Sequence, residues 1–178
     1  MAIDRNKILP GDLLIFRIVK QSHLLGKLIG FFSVLMGKEG EWNFTYGHVA
    51  ICEDKNSYLE MTWPVSKRTS IDDAVKNPET EIWRIEDMTP DRAKIVLKWA
   101  QDNLGVHYNI RHIISLGFLQ GYGCGDFLAK ALRNCRIELT FEGRNDPVVS
   151  PNEVACSKET VCVDNNGHDV PNYYMLKG

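Results

Sequence analysis

Cys124 lies in the stretch "GYGCGDFLAKAL", residues 121 to 132, set among glycines at the head of a helical pattern. Thiol chemistry needs a thiolate. A cysteine in the first turn of a helix meets unpaired backbone N–H groups and the positive end of the helix dipole, and both favour that form. Gly123 and Gly125 allow a sharp turn into the helix and leave room for a substrate carbonyl beside the sulfur, so both count as candidate substrate-binding positions. The Cys124 amide itself can donate to an oxyanion. Cys156 is the rival nucleophile. The segment "SPNE", residues 150 to 153, has the form of a capping box with proline at the first helical position, which puts Cys156 in the second turn with its amide already bonded inside the helix. Cys52, Cys135 and Cys162 read as the small apolar fillers that free cysteines usually are. Cys124 alone would read the same way, so its partners decide.

A thiol nucleophile needs a base that takes its proton and later protonates the leaving group, most often histidine. His48 stands inside the β-prone run "YGHVAIC", where a strand would hold its ring rigidly. If the hairpin that follows turns around Asp54 to Asn56, His48 faces one of Glu60, Met61 or Thr62, and Glu60 becomes the candidate orienter. A carboxylate on one ring nitrogen fixes the tautomer and stabilises the imidazolium. Asp72 and Asp73 are alternatives for that role. Tyr46, on the same strand as His48, joins Gly123 and Gly125 as a candidate substrate contact. Of His23, His107, His112 and His168, only His107 and His112 share a segment, and without HxxxH or HxH spacing three ligands would have to come from unrelated segments, so neither a metal site nor any other cofactor is expected.

Several elements must bring these residues together. "PGDLLIFRIV" gives a turn and then a strand from Leu13 to Val19. "HLLGKLIGFFSVLMGK", residues 23 to 38, follows the 3.6-residue period of an amphipathic helix. Its apolar stretch is shorter than the roughly 20 residues that cross a bilayer, so no transmembrane segment is expected. That helix reads either as part of the core or as a lid or acyl-binding surface. Residues 46 to 63 form a hairpin and "TEIWRIE" a further strand. Thr89 as N-cap, Pro90 at the first position and Gly105 as a stop frame a helix. Two more helices start near Cys124 and at Ser150. The order implies one α+β domain over residues 1 to 178, a small antiparallel sheet or barrel packed against helices.

The chain has 178 residues, 21 basic against 23 acidic side chains and a net charge of −2, without the basic surface of a nucleic-acid binder. Five cysteines without CxxC spacing indicate neither a disulfide framework nor a zinc knuckle. The N-terminal residues lack the basic and apolar regions of a secretory signal. The expected location is the cytoplasm, or delivery by a phage or secretion route.

The sequence of motifs "PGDLLIF", "GHVAI", "YLEM", "WAQDNLGVHYN", "CGDFLAKAL" and "VVSPNEVA" resembles the circularly permuted branch of the NlpC/p60-like cysteine hydrolases, which have a papain-like fold. The resemblance spans roughly residues 10 to 155. It implies His48 as base and Cys124, rather than Cys156, as nucleophile, and it matches Glu60 to the third position only by its strand. Cys-Gly-Asp stands where the family has Cys-Ser-Glu, and Tyr-Asn where it has Tyr-Asp. The implied activity is amide hydrolysis in peptidoglycan-type peptides or a related peptide or isopeptide. The alternatives are a lipid-directed thiol acyltransferase or phospholipase, with a lipid or acyl chain as partner, or a binding or structural module of the same fold without turnover.

Overall fold

A computed structural model describes residues 3–17, 46–108, 122–139 and 149–168 of the chain. These residues build an α+β structure around one six-stranded sheet. The strands are β1 (Leu13–Arg17), β2 (Tyr46–Cys52), β3 (Ser57–Met61), β4 (Ser66–Ser70), β5 (Thr80–Ile85) and β6 (Thr160–Asp164). The helices are α1 (Ile71–Lys76), α2 (Pro90–Asp102), α3 (Cys124–Arg133) and α4 (Pro151–Cys156), preceded by a short 3-10 turn, Arg5–Lys7. The strand order is β4-β3-β2-β1-β5-β6, and each neighbouring pair is antiparallel. The chain therefore meanders outward from β1 through β2, β3 and β4, then crosses to the far side of β1.

The Pro-Gly-Asp turn before β1 has a physical purpose. Gly11 takes φ +89, a conformation that L side chains rarely adopt, and its N–H donates to the Cys52 carbonyl at 2.9 Å. The buried carboxylate of Asp12 accepts from the Leu9 N–H at 2.8 Å and takes both Nε and Nη2 of Arg84 at 2.7 Å. This bidentate pair ties the start of β1 to β5.

Two apolar clusters line the sheet. The larger gathers Leu13, Ile15, Val49, Ile51, Leu59, Met61 and Trp83 with the inner faces of α2, α3 and α4. The smaller holds Leu14, Ala50, Cys52, Tyr58 and Ile82 with Ile71 and Ala74 of α1 and with Ile3 and Ile8. The division follows strand alternation, with odd and even positions of β1 and β3 pointing to opposite faces.

The expected strand at Leu13, the hairpin, the strand at Thr80 and the helices starting at Pro90, Cys124 and Pro151 are all present. Thr89 caps α2 by accepting from the Arg92 N–H at 3.3 Å. Ser150 caps α4 reciprocally, its hydroxyl accepting from the Glu153 N–H at 3.2 Å and the Glu153 carboxylate accepting from the Ser150 N–H at 2.6 Å. The sequence reading passed over β4, α1 and β6. The amphipathic segment of residues 23 to 38 lies outside the described residues. Among those described, no helix is long and apolar enough to cross a membrane.

Candidate active site

His48 reaches its place through an irregularity in β2. Leu13 to Phe16 pair in step with Ile51 to His48, but Arg17 pairs with Tyr46, so Gly47 is an extra residue in β2. Such a bulge shifts the alternation by one residue. Tyr46 consequently joins the larger cluster beside Val49 and Ile51, whereas the His48 ring lies against Phe16, with centroids 5.4 Å apart. Phe16 packs on the smaller cluster.

Glu60 stands opposite Ala50, two places along the pleat from the position facing His48 and on the same face. The diagonal is short enough for contact. His48 Nε2 and Glu60 Oε2 are 2.8 Å apart. The other carboxylate oxygen, Oε1, accepts from the Thr69 hydroxyl at 2.7 Å and has Lys67 Nζ at 3.6 Å. Burial opposes the charge on Glu60, which is 7% exposed. Hydrogen bonds from His48 and Thr69 and the charges of His48 and Lys67 overcome that and hold its carboxyl below the ordinary range.

Cys124 opens α3 directly after Gly123, whose extended backbone forms the N-cap. Its amide is therefore one of the four N–H groups that a helix leaves without an intrahelical acceptor. The Cys124 thiol lies close enough to His48 to raise the pKa of its ring. Since Nε2 is engaged by Glu60, Nδ1 is the ring nitrogen that remains for the sulfur. Burial disfavours a charged His48 ring, but hydrogen bonds to Cys124 and Glu60 and the charges of both push its pKa up to about 10. Cys124, His48 and Glu60 thus stand in a row drawn from α3, β2 and β3. Tyr108 adjoins this row: it is 8% exposed, and burial first, then the charges of Cys124 and Asp126, raise its phenol well above the usual value.

The three candidate substrate contacts have other employment. Tyr46 is 3% exposed, and its phenol donates to Glu81 Oε2 at 2.8 Å, away from His48 because of the bulge. The Gly123 N–H donates to Asp126 Oδ2 at 3.1 Å. At Gly125 the expected open space is filled by backbone: a Cβ there would lie 1.9 Å from the Val149 carbonyl oxygen. Gly125 is glycine because another part of the chain presses on it.

Asp126 completes this junction. It is 4% exposed, and besides Gly123 it accepts from the Val149 N–H through Oδ1 at 2.9 Å. The Gly125–Asp126 pair therefore docks α3 against residues 149–150.

Of the alternatives, Asp72 is exposed and pairs with Arg5 at 2.9 Å. Cys156 is the last residue of α4, while Cys52 and Cys135 are buried and Cys162 is half-buried. His107 bridges to Val65, and His168 Nε2 lies 2.8 Å from the Pro78 carbonyl oxygen. His23 and His112 lie outside the described residues. No group of three or more His, Cys, Asp or Glu that could hold a metal ion occurs among the described residues. Sequence reasoning marked Asp126 only as a departure from the family pattern and missed Thr69, Lys67 and Asn152. Only the alternation of β4 opposite β3 could have pointed to Thr69 and Lys67.

Neither a family model nor a curated protein matches the chain significantly. Solved structures do match, among them the crystal structure of the metalloprotein yiiX from Escherichia coli, which is 16% identical with a TM-score of 0.63 and covers 88% of this chain and 96% of its own. A likeness at that identity speaks for the fold alone: this chain shares the α+β architecture of that structure.

Proposed function

We propose that the chain is a thiol hydrolase of the circularly permuted NlpC/p60-like, papain-like type, cleaving an amide bond in peptidoglycan-type peptides or a related peptide or isopeptide. The observation that carries this reading is the row Cys124–His48–Glu60, in which one imidazole meets a carboxylate at 2.8 Å and lies by a helix-start thiol that raises its pKa. Each member has a role that its surroundings support. The Cys124 sulfur attacks the amide carbon, forming a C–S bond, while the carbonyl oxygen becomes an oxyanion that the Cys124 amide can meet. The His48 imidazolium gives its proton to the leaving nitrogen as the C–N bond breaks. Water, losing a proton to His48, then attacks the thioester and releases the acid and the thiolate. Glu60 keeps Nε2 occupied throughout, leaving Nδ1 for the reaction.

Cys156 supplies an internal reference for the test. Iodoacetamide at pH 6 to 7 should label Cys124 selectively, and His48→Ala should remove the selectivity. Labelling of Cys124 no faster than Cys156 would defeat the assignment and leave the module without turnover. Incubation with muropeptides and with phospholipids, followed by mass spectrometry of the products, tests the substrate. Peptide cleavage is expected; fatty-acid release without it would move the activity to lipids.

A further inference from the structure

The nucleophile and the base come from distant parts of the chain, yet one short segment grips both. On the nucleophile's side, Asp126, two residues after Cys124, accepts from the Val149 N–H at 2.9 Å, and Gly125 admits the Val149 carbonyl where no Cβ could fit. On the base's side, the Asn152 side chain completes two bonds with a single residue, Tyr46. Its Oδ1 accepts from the Tyr46 N–H at 3.1 Å and its Nδ2 donates to the Tyr46 carbonyl at 3.3 Å. An amide that donates and accepts in this manner imitates a neighbouring strand. It holds β2 immediately before the Gly47 bulge, two residues ahead of His48.

Between these grips, residues 149 to 152 are themselves fixed. Ser150 and Glu153 close the reciprocal cap of α4, and Asn152 is buried at 8% exposure. The path Cys124–Asp126–Val149–Asn152–Tyr46–His48 is thus a continuous brace, independent of the Cys124–His48 contact that it spans.

We infer that Asp126 and Asn152 are positioning residues that set the separation of thiol and imidazole through residues 149–152. The inference rests on the thiol-hydrolase reading. Neither residue touches the reacting atoms. Each acts by fixing the backbone from which Cys124 or His48 projects, and errors of about 1 Å in such placement can cost on the order of a hundredfold in rate.

The test is the pH dependence of iodoacetamide labelling of the full chain, with each cysteine quantified by peptide mass spectrometry. At pH 6.5, Asn152→Ala and Asp126→Asn should label Cys124 about tenfold or more slowly than the unaltered protein. At pH 10, where a thiol ionises without help from histidine, the rates should converge. Asn152→Asp keeps the acceptor for the Tyr46 N–H but loses the donor, so its pH 6.5 rate should fall between those of the unaltered protein and Asn152→Ala. General damage would read differently, because unfolding exposes the fully buried Cys52 and makes it label as well. If the alanine variant unfolds by that criterion, Asn152→Asp and Asp126→Asn carry the test.

Fast labelling of Cys124 in the unaltered protein with the same pH profile in the folded variants would overturn the inference while sparing the hydrolase. Slow labelling in the unaltered protein would instead remove the hydrolase reading on which it rests. A Tyr46 amide that exchanges with deuterium as freely as one on an open edge would also overturn it.

Discussion

Among the described residues the sheet buries two carboxylates, Glu60 and Glu81, and only Glu60 belongs to the row proposed to be reactive. Glu81, on β5, is 0% exposed. It accepts from the Tyr46 phenol at 2.8 Å, from Trp83 Nε1 at 2.9 Å and from Arg17 Nε. Glu60, on β3, accepts from Thr69 and meets His48. The sites are similar in depth and differ in what the partners can do next. Glu81 is held by a guanidinium, which keeps its charge, by the Trp83 indole, and by the Tyr46 phenol, whose pKa burial and the Glu81 charge push up so that it keeps its proton. Glu60 is held by an imidazole whose far nitrogen leads to a thiol. A buried carboxylate becomes an instrument of chemistry when one of its partners can pass a proton onward; otherwise it is a fastener.

The sharpest break between the two regions should come from Cys124→Ala. We expect turnover to fall by about a thousandfold or more, as for other covalent catalysts stripped of their nucleophile, with folded secondary structure retained by circular dichroism. Glu81→Leu should do the reverse. Removing one partner of a buried ion pair costs about 3–5 kcal/mol, so denaturant unfolding should register a large loss of stability, while the remaining folded protein still labels at Cys124. Glu60→Gln, the matching change in the reactive row, should lower turnover by about a hundredfold with a much smaller loss of stability, since acid–base assistance is typically worth that much. Equal stability losses at Glu60 and Glu81 would erase the distinction.

Gly125→Ala should fall next. The added methyl meets a backbone carbonyl, and overpacking of this kind costs about 1–3 kcal/mol; a melting temperature equal to that of the unaltered protein would contradict the contact with Val149. The last test is pH. His48 has a folded-state pKa of about 10 against an ordinary 6.5, so its contribution to stability is complete below about 6.5 and is lost as pH rises through about 10. Glu60 is shifted the other way from its ordinary 4.5. Its contribution is present above 4.5 and is lost as pH falls through the lowered value. Denaturant unfolding should therefore show the gap between the unaltered protein and His48→Ala narrowing toward alkaline pH.

The placement of Cys124, His48 and Glu60 was legible in the sequence because each depends on local pattern: a glycine turn before a helix, a histidine within a β-run, and the parity of a hairpin. The misreading of Tyr46 and Gly125 has a physical cause. Alternation puts Tyr46 and His48 on one face, and only the pairing with β1 reveals that Gly47 is an extra residue. Nothing near Gly125 announces that Val149 will press against it. Strand β4, "SKRTS", is polar, and α1 is a single short helix capped by Ser70, so neither carries the apolar period that marks an element. Strand β6 is short and follows closely on α4, so it too lacks a period long enough to mark an element.

Strand β4 has a further bearing, on the company the molecule keeps. Among the described residues it is an outer strand of the sheet, and outer strands invite pairing with other chains. Its five residues include the exposed Lys67 and Arg68, and the chain leaves it at once for α1, so the border is both brief and positively charged. The same strand carries Thr69 and Lys67 to Glu60. Natural variation that turned this border apolar would therefore invite aggregation as it weakened the reactive row, and a defect in solubility and a defect in chemistry would arise from the same few residues.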